Sequence, residues 1–327
     1  MSAPARQHGM ALLTVLLLTV VMTVLAMAML DDIRFGTRRA QNAYAVAQAQ
    51  RYALGSEALA LRRIGELQRE GVAAEQWNGK PLLFPIIEDE QARGMVRARL
   101  DDASTCFNLN SVVTGAAEQW QRLELGVQQY VALLQALGIA AAQAQTLADT
   151  LADWIDSDAQ RAPLGAEDAT YAALVPAYRT SGALLAEVSE LRAIRGYDAD
   201  LYARIRPYVC ALPSATLSPV NVNALRADQA PVLSMLSLGQ LTPAEAQRRI
   251  AARPAGGWPD ATAFWSQPGL AAAELPNEVY GQIQLRSQWF ALETEVDYTG
   301  AQAVLTALIH AGGNDSRLLV RRWTPDE

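Results

Sequence analysis

The sequence predicts an α+β fold: a long N-terminal helix laid on an antiparallel sheet, with a large all-α region inserted between the strands. Three observations predict it. Met10–Leu30 carries no charged residue, and no proline stands between Met10 and Ala74, so one helix can run on unbroken. Strand-type sequence occurs in Val96–Leu100 and then only in Gln288–Tyr298, Ala301–His310 and Arg317–Trp323. Between Cys106 and Tyr280 the pattern is mostly helical.

Taken in order, Met10–Leu30 makes a helix about 30 Å long, the thickness of a bilayer's hydrocarbon core. Beyond it the helix turns amphipathic, with Ile33, Tyr44, Tyr52, Leu59, Ile64 and Leu67 among Arg, Gln and Glu, and runs to about residue 72. Gly71 and the turn Asn78–Pro81 end it. In Val96–Leu100 apolar and charged residues alternate. Thr299-Gly300 and Gly312–Asp315 supply turns between the last strands. The expected boundaries are a leader over 1–9, a membrane span over 10–30, a discontinuous α/β domain over 73–105 and 281–327, and an inserted helical domain over 106–280.

The leader is short and polar, carries Arg6 and His8, and ends in Gly9. The segment reads as a plain membrane anchor, as a secretory signal with Ala26-Met27-Ala28 as its cleavage site, or as a leader cut after Gly9. The last order, polar leader, Gly and apolar helix, resembles the signals of type IV pilins, in which Met10 becomes the mature N-terminus. Those signals carry Glu at the fifth mature position; here that position is Thr14.

The helical region contains an internal echo. Asn108-Leu109-Asn110 returns as Asn221-Val222-Asn223, and each is followed by an apolar run ending in Gly, Val131–Gly138 and Val232–Gly239. Two stacked units would share one core. Such units look like sterile-alpha-motif (SAM-like) or helix-hairpin-helix modules. The second class binds nucleic acid, which gives an alternative reading as a membrane-anchored nucleic-acid-binding protein. The turn at Gly239 has no second Gly and no Lys, and the net charge is −7, so affinity for phosphate is not expected.

Catalysis is excluded by inventory. The two histidines are His8, in the leader, and His310, in a strand, and no nucleophile–base set can be built on them. A hydrolase built on carboxylates alone would need a cleft pairing two of them. Two cysteines, Cys106 and Cys210, form one disulfide if the body is extracytoplasmic; otherwise they are buried thiols. The sharpest polar cluster is Asp149, Asp153, Asp156 and Asp158 at a helix C-terminus, followed by Gly165, Glu167 and Asp168. Carboxylates there face the negative end of the helix dipole and repel each other, so the cluster reads either as a solvated acidic loop or as a site where a cation compensates. Hard oxygen donors suit calcium better than zinc. The spacing fails the EF-hand pattern at Arg161, where that loop needs Gly.

Together these features resemble the minor pseudopilin K family of the type II (general) secretion pathway. The residues that carry the resemblance are Gly9, Thr14, Cys106–Asn110, the acidic block Asp153–Tyr171, Ser189–Gly196 and Val220–Asn223. It implies a pilin-like α/β fold with an inserted helical domain and no enzymatic activity. It implies an inner-membrane protein with its bulk in the periplasm, placed at the tip of the pseudopilus with the I- and J-type minor pseudopilins. It further implies calcium at Asp153, Asp156, Asp158, Glu167 and Asp168, cleavage between Gly9 and Met10 by the prepilin peptidase, and N-methylation of Met10. Within the resemblance, Thr14 suits a subunit with no neighbour above it. The Glu it lacks would, in other subunits, meet the amino terminus of the subunit above.

Overall fold

A computed structural model of the chain describes residues 8–312 and 315–325; the leader residues 1–7 lie outside the described residues. In chain order, helix α1 (His8–Glu70) leads to strands β1 (Pro81–Glu88) and β2 (Gln91–Asp102). The chain then enters the inserted region. This contains β3 (Phe107–Asn108), β4 (Val113–Ala116), β5 (Gln119–Arg122), α2 (Glu124–Ala136), α3 (Ala141–Ile155), α4 (Asp168–Tyr171) and α5 (Ala199–Ile205). It continues with β6 (Val209–Cys210), β7 (Val220–Asn221), α6 (Ala230–Leu236), α7 (Pro243–Ala251), α8 (Ala261–Trp265), α9 (Asn277–Tyr280) and β8 (Ile283–Gln284). The chain returns as β9 (Trp289–Tyr298), β10 (Ala301–Gly312) and β11 (Asp315–Arg322). The long strands form one antiparallel sheet in the order β1-β2-β9-β10-β11.

At about 1.5 Å per residue, α1 is roughly 95 Å long. Its apolar first part is exposed throughout, as a membrane span is when no lipid surrounds it. From Ala45 onward one face packs on the sheet. Ala45, Ala49 and Ala53 are small enough to bring the helix close to Phe290, Leu292, Leu305 and Ile309. A bidentate pair fixes its rotation: Arg321 Nε and Nη2 each lie 2.6 Å from the buried Glu57 carboxylate.

The sheet has one more strand than the sequence suggested. Pro81 reads as part of a turn, yet it and Pro85 both lie in β1, an edge strand where a missing N–H costs no ladder bond. Asp89 and Glu90, both with positive φ, close the β1–β2 hairpin. The inserted region also holds short strand pairs that the helical pattern did not indicate: β3 with β6 and β7 with β8, both parallel, and the hairpin β4–β5.

The inserted region has its own core, built around Tyr130, Leu133, Leu147, Leu151, Leu233 and Phe264. Its chain leaves and rejoins the sheet at one point, where Ala103 N donates to Trp289 O at 2.9 Å. That point lies beside the C-terminal end of α1, since Gln68 donates to Ser287 O. The helical region therefore sits at the end of the sheet farthest from the membrane span.

The asparagine echo has a structural meaning. Asn110 Nδ2 donates to Leu185 O and Leu212 O, and its Oδ1 accepts from Leu185 N. Asn223 Nδ2 donates to Trp258 O and Leu285 O, and its Oδ1 accepts from Trp258 N. Each Asn pins two distant backbone segments, one at the β3–β6 pair and one at the β7–β8 pair. At the first pair, Cys106 and Cys210 are disulfide-bonded with Cα atoms 5.8 Å apart.

Candidate metal centre

Helix α3 is amphipathic, and its last turns bury Asp149, Asp153 and Asp156. Burying three carboxylates on one helix end demands compensation for each. Asp149 has it: Arg122 Nη2 lies 2.9 Å from its Oδ1, and Gln145 donates to the same oxygen. Asp153 accepts backbone N–H bonds from the following loop, from Ala162 at 3.2 Å and from Ala166. Burial still pushes its carboxyl up, against those bonds.

Gly165 is required by this arrangement. A Cβ there would lie 1.9 Å from Asp153 Oδ2, so only glycine lets the loop close over the carboxylate. That closure brings Glu167, twelve residues into the loop region, back to the end of α3. The opposite wall is set by Ser157, whose N–H donates to Trp120 O and whose Oγ accepts from Trp120 N, both at 2.9 Å. Ser157 stands between Asp156 and Asp158 and so fixes both relative to β5.

The result is a cluster of three carboxylates, Asp156, Asp158 and Glu167, each offering an oxygen within 4.8 Å of the other two. Asp156 Oδ1 and Glu167 Oε1 are buried and have no hydrogen-bond partner. Burial pushes Asp156 up to about 7, with Asp158, Asp153 and Glu167 adding to it. Burial likewise pushes Glu167 up to about 7, helped by Asp153. Two orphaned carboxylate oxygens beside a third acid form a donor set that a cation fits and that is costly without one. These three residues could hold a metal ion.

Asp168, the residue after Glu167 and the first of α4, faces elsewhere. Its Oδ1 accepts from Thr180 N and Thr180 Oγ1, both at 2.9 Å, and those bonds hold its carboxyl below the usual range. The sequence had grouped Asp153 and Asp168 with the other three. It did not indicate Arg122, Ser157 or Thr180, whose roles depend on chain segments brought together only by folding. Two of the four arginines that a nucleic-acid module could use are paired with carboxylates: Arg253 with Glu75 at 2.9 Å and Arg226 with Asp228 at 3.3 Å.

Comparison with known proteins decides the family. Two family models described as type II secretion system (T2SS), protein K match residues 105–214 and 220–286. A type II secretion system protein K from Pectobacterium carotovorum subsp. carotovorum is 31% identical over 325 residues, spanning 98% of this chain and 97% of its own. The chain belongs to the type II secretion system protein K family. A protein K from Klebsiella pneumoniae is 35% identical over 337 residues, spanning 98% of this chain and 99% of its own. In the crystal structure of the GspK-GspI-GspJ complex from enterotoxigenic Escherichia coli, one chain superposes with a TM-score of 0.73 at 30% identity, covering 87% of this chain and 98% of that one. As a protein K, the chain is a minor pseudopilin of the secretion system, a structural component and not an enzyme. Its single N-terminal helix anchors it in the inner membrane, with the bulk of the chain outside the bilayer.

Proposed function

We propose that this chain starts and caps the periplasmic pseudopilus, in complex with I- and J-type minor pseudopilins, and so supports export of folded proteins across the outer membrane. The observation that carries this reading is the position of the helical region. It covers the membrane-distal end of the helix–sheet unit, where a further subunit would have to stack. Thr14 agrees with it: its hydroxyl donates to Ala11 O within the helix at 2.9 Å, so the fifth mature position presents no charge to a neighbour. The similarity to a chain of a three-protein assembly supports the partner assignment.

Maturation on this reading is cleavage after Gly9 by the prepilin peptidase and N-methylation of Met10. Calcium is held by Asp156, Asp158 and Glu167, while Asp153 and Asp168 shape the loop around it; the bound ion supplies the positive charge that cluster lacks. The region 106–280 is a duplicated unit, two SAM-like halves each closed by its own asparagine, Asn110 or Asn223. The test is mass spectrometry of the mature N-terminus, made in a host with its prepilin peptidase. An N-methylated Met10 is expected. A chain starting at Met1, Ser2 or Met29 overturns the reading.

A further inference from the structure

The apolar span ends at Leu30, and Arg34, Arg38 and Arg39 follow it closely. Basic residues beside a span are enriched on its cytoplasmic side, opposite an exported body. Here they stand on the side of the body, so topology does not account for them. Arg34 is engaged within the helix, its Nη1 lying 3.7 Å from Asp31 Oδ1. The side chains of Arg38 and Arg39 are exposed and have no ion pair or hydrogen bond among the described residues.

Phe35, 71% exposed, precedes Arg38 and Arg39 by three and four residues, so the three share one face of α1. That face points to a definite side. Phe35 is eighteen residues, five full turns, before the buried Ala53, and Arg39 is eighteen before the buried Glu57. The cluster therefore lies on the side of α1 that carries the sheet, below the point where packing begins at Ala45. A neighbouring helix rising along that side would run into the sheet. What stays open to the cluster is the bilayer surface beneath it.

The height agrees. Arg38 and Arg39 are eight and nine residues past Leu30, about 12–14 Å above the hydrocarbon core. The headgroup layer is about 5–8 Å deep. The Cα–Cβ bonds of a helix tilt toward its N-terminus, here toward the bilayer, so long arginine side chains can reach back to the phosphates. Phe35, about 7.5 Å above the core, stands at headgroup level, where aromatic rings are favoured.

We infer that Arg38 and Arg39, with Phe35 beneath them, form a headgroup site for an anionic phospholipid of the leaflet facing the body of the chain. The planar guanidinium groups match phosphate oxygens in pairs, and the ring packs on the glycerol and upper acyl chain. A zwitterionic lipid brings its own ammonium to the same phosphate, so the site favours an anionic one. The inference depends on the membrane anchor and not on the tip assignment.

The test uses the full-length chain in detergent micelles with equimolar phosphatidylglycerol and phosphatidylcholine of identical acyl chains, the bound lipids being counted by native mass spectrometry. The net charge of the chain is −7, so its overall charge does not favour an anionic lipid. Phosphatidylglycerol is expected to be retained at least about fivefold over phosphatidylcholine. R38Q/R39Q is expected to bring the two lipids to equal retention with an unchanged melting temperature. R62Q/R63Q, which removes the same charge from α1 beside the sheet, is expected to keep the preference. Equal retention by the unmodified chain, a preference that survives R38Q/R39Q, or an equal loss in R62Q/R63Q each overturns the inference, and none of them touches the tip assignment.

Discussion

Asn221 Nδ2 donates to Asp102 Oδ2 at 2.7 Å, joining two residues that are 119 positions apart in the chain. Asp102 ends β2, and Asn221 lies in β7 of the helical region. The other oxygen of Asp102 accepts from Ser104 N at 2.7 Å and from Ser104 Oγ, while Ser287 Oγ donates to the same oxygen as Asn221. Burial pushes this carboxyl up even against all those bonds. The contact is the lock between the sheet and the insertion.

Every partner of Asp102 donates, so the prediction is asymmetric. Asp102→Ala leaves buried donors unpaired and is expected to destabilise by about 1–3 kcal/mol. Asp102→Asn places an amide N–H against Ser104 N or Asn221 Nδ2 and is expected to cost nearly as much, although it is isosteric. Urea unfolding of the full chain in detergent checks both.

The two asparagine clamps should fail separately. Asn110→Ala releases Leu185 and Leu212, whereas Asn223→Ala releases Trp258 and Leu285. Hydrogen exchange is expected to rise around the released segments in each variant and to remain near its original value in the other half.

Stability of the metal-free protein should fall as pH rises. Asp156 and Glu167 both have folded values near 7, above their ordinary values of 3.8 and 4.5. The folded state therefore holds extra protons in that window. Stability from these groups is fully present below about pH 4 and is lost as pH rises through 7. A bound cation holds the carboxylates ionised and reverses the slope. Melting temperatures between pH 5 and 8, with a chelator and with calcium, check this. Glu167→Gln is expected to flatten the chelator curve and weaken calcium binding.

Gly165→Ala should act on the same site from the other side. Its methyl group would displace the Asp153 carboxylate and the loop carrying Glu167. Calcium affinity by isothermal titration is expected to fall at least about tenfold, with the disulfide still formed.

Removing the disulfide tests the first half of the insertion. The bond closes a separation of 104 residues, and Cys106→Ser with Cys210→Ser is expected to cost about 4.7 kcal/mol in the chain-entropy model. Chemical unfolding measures it.

Much of this was legible in the sequence because the signals are local or periodic. The span and the amphipathic helix end at Glu70, close to the expected residue 72. The last three strands begin and end within two residues of the expected bounds. β1 was missed because Pro81 and Pro85 break a central strand but not an edge, and edge position is a property of the whole sheet. The acidic block was visible as charge, but its division was not. Which carboxylates are left without a partner depends on Arg122 and Thr180, which lie far from them along the chain. The asparagine echo was visible as a repeat, whereas the two-residue strand pairs it serves are too short to have a period.

The single crossing at Ala103 and Trp289 also determines how the molecule carries load. The chain departs from the sheet at Ala103 and returns to it at the neighbouring Trp289, so along the covalent chain the whole inserted region is a side branch. Force transmitted along α1 passes into β9, β10 and β11 through their packed face and through the Glu57–Arg321 pair. None of it has to traverse the helical region. Thrust or tension along the filament axis would therefore leave the three-carboxylate cluster and both asparagine clamps mechanically unloaded.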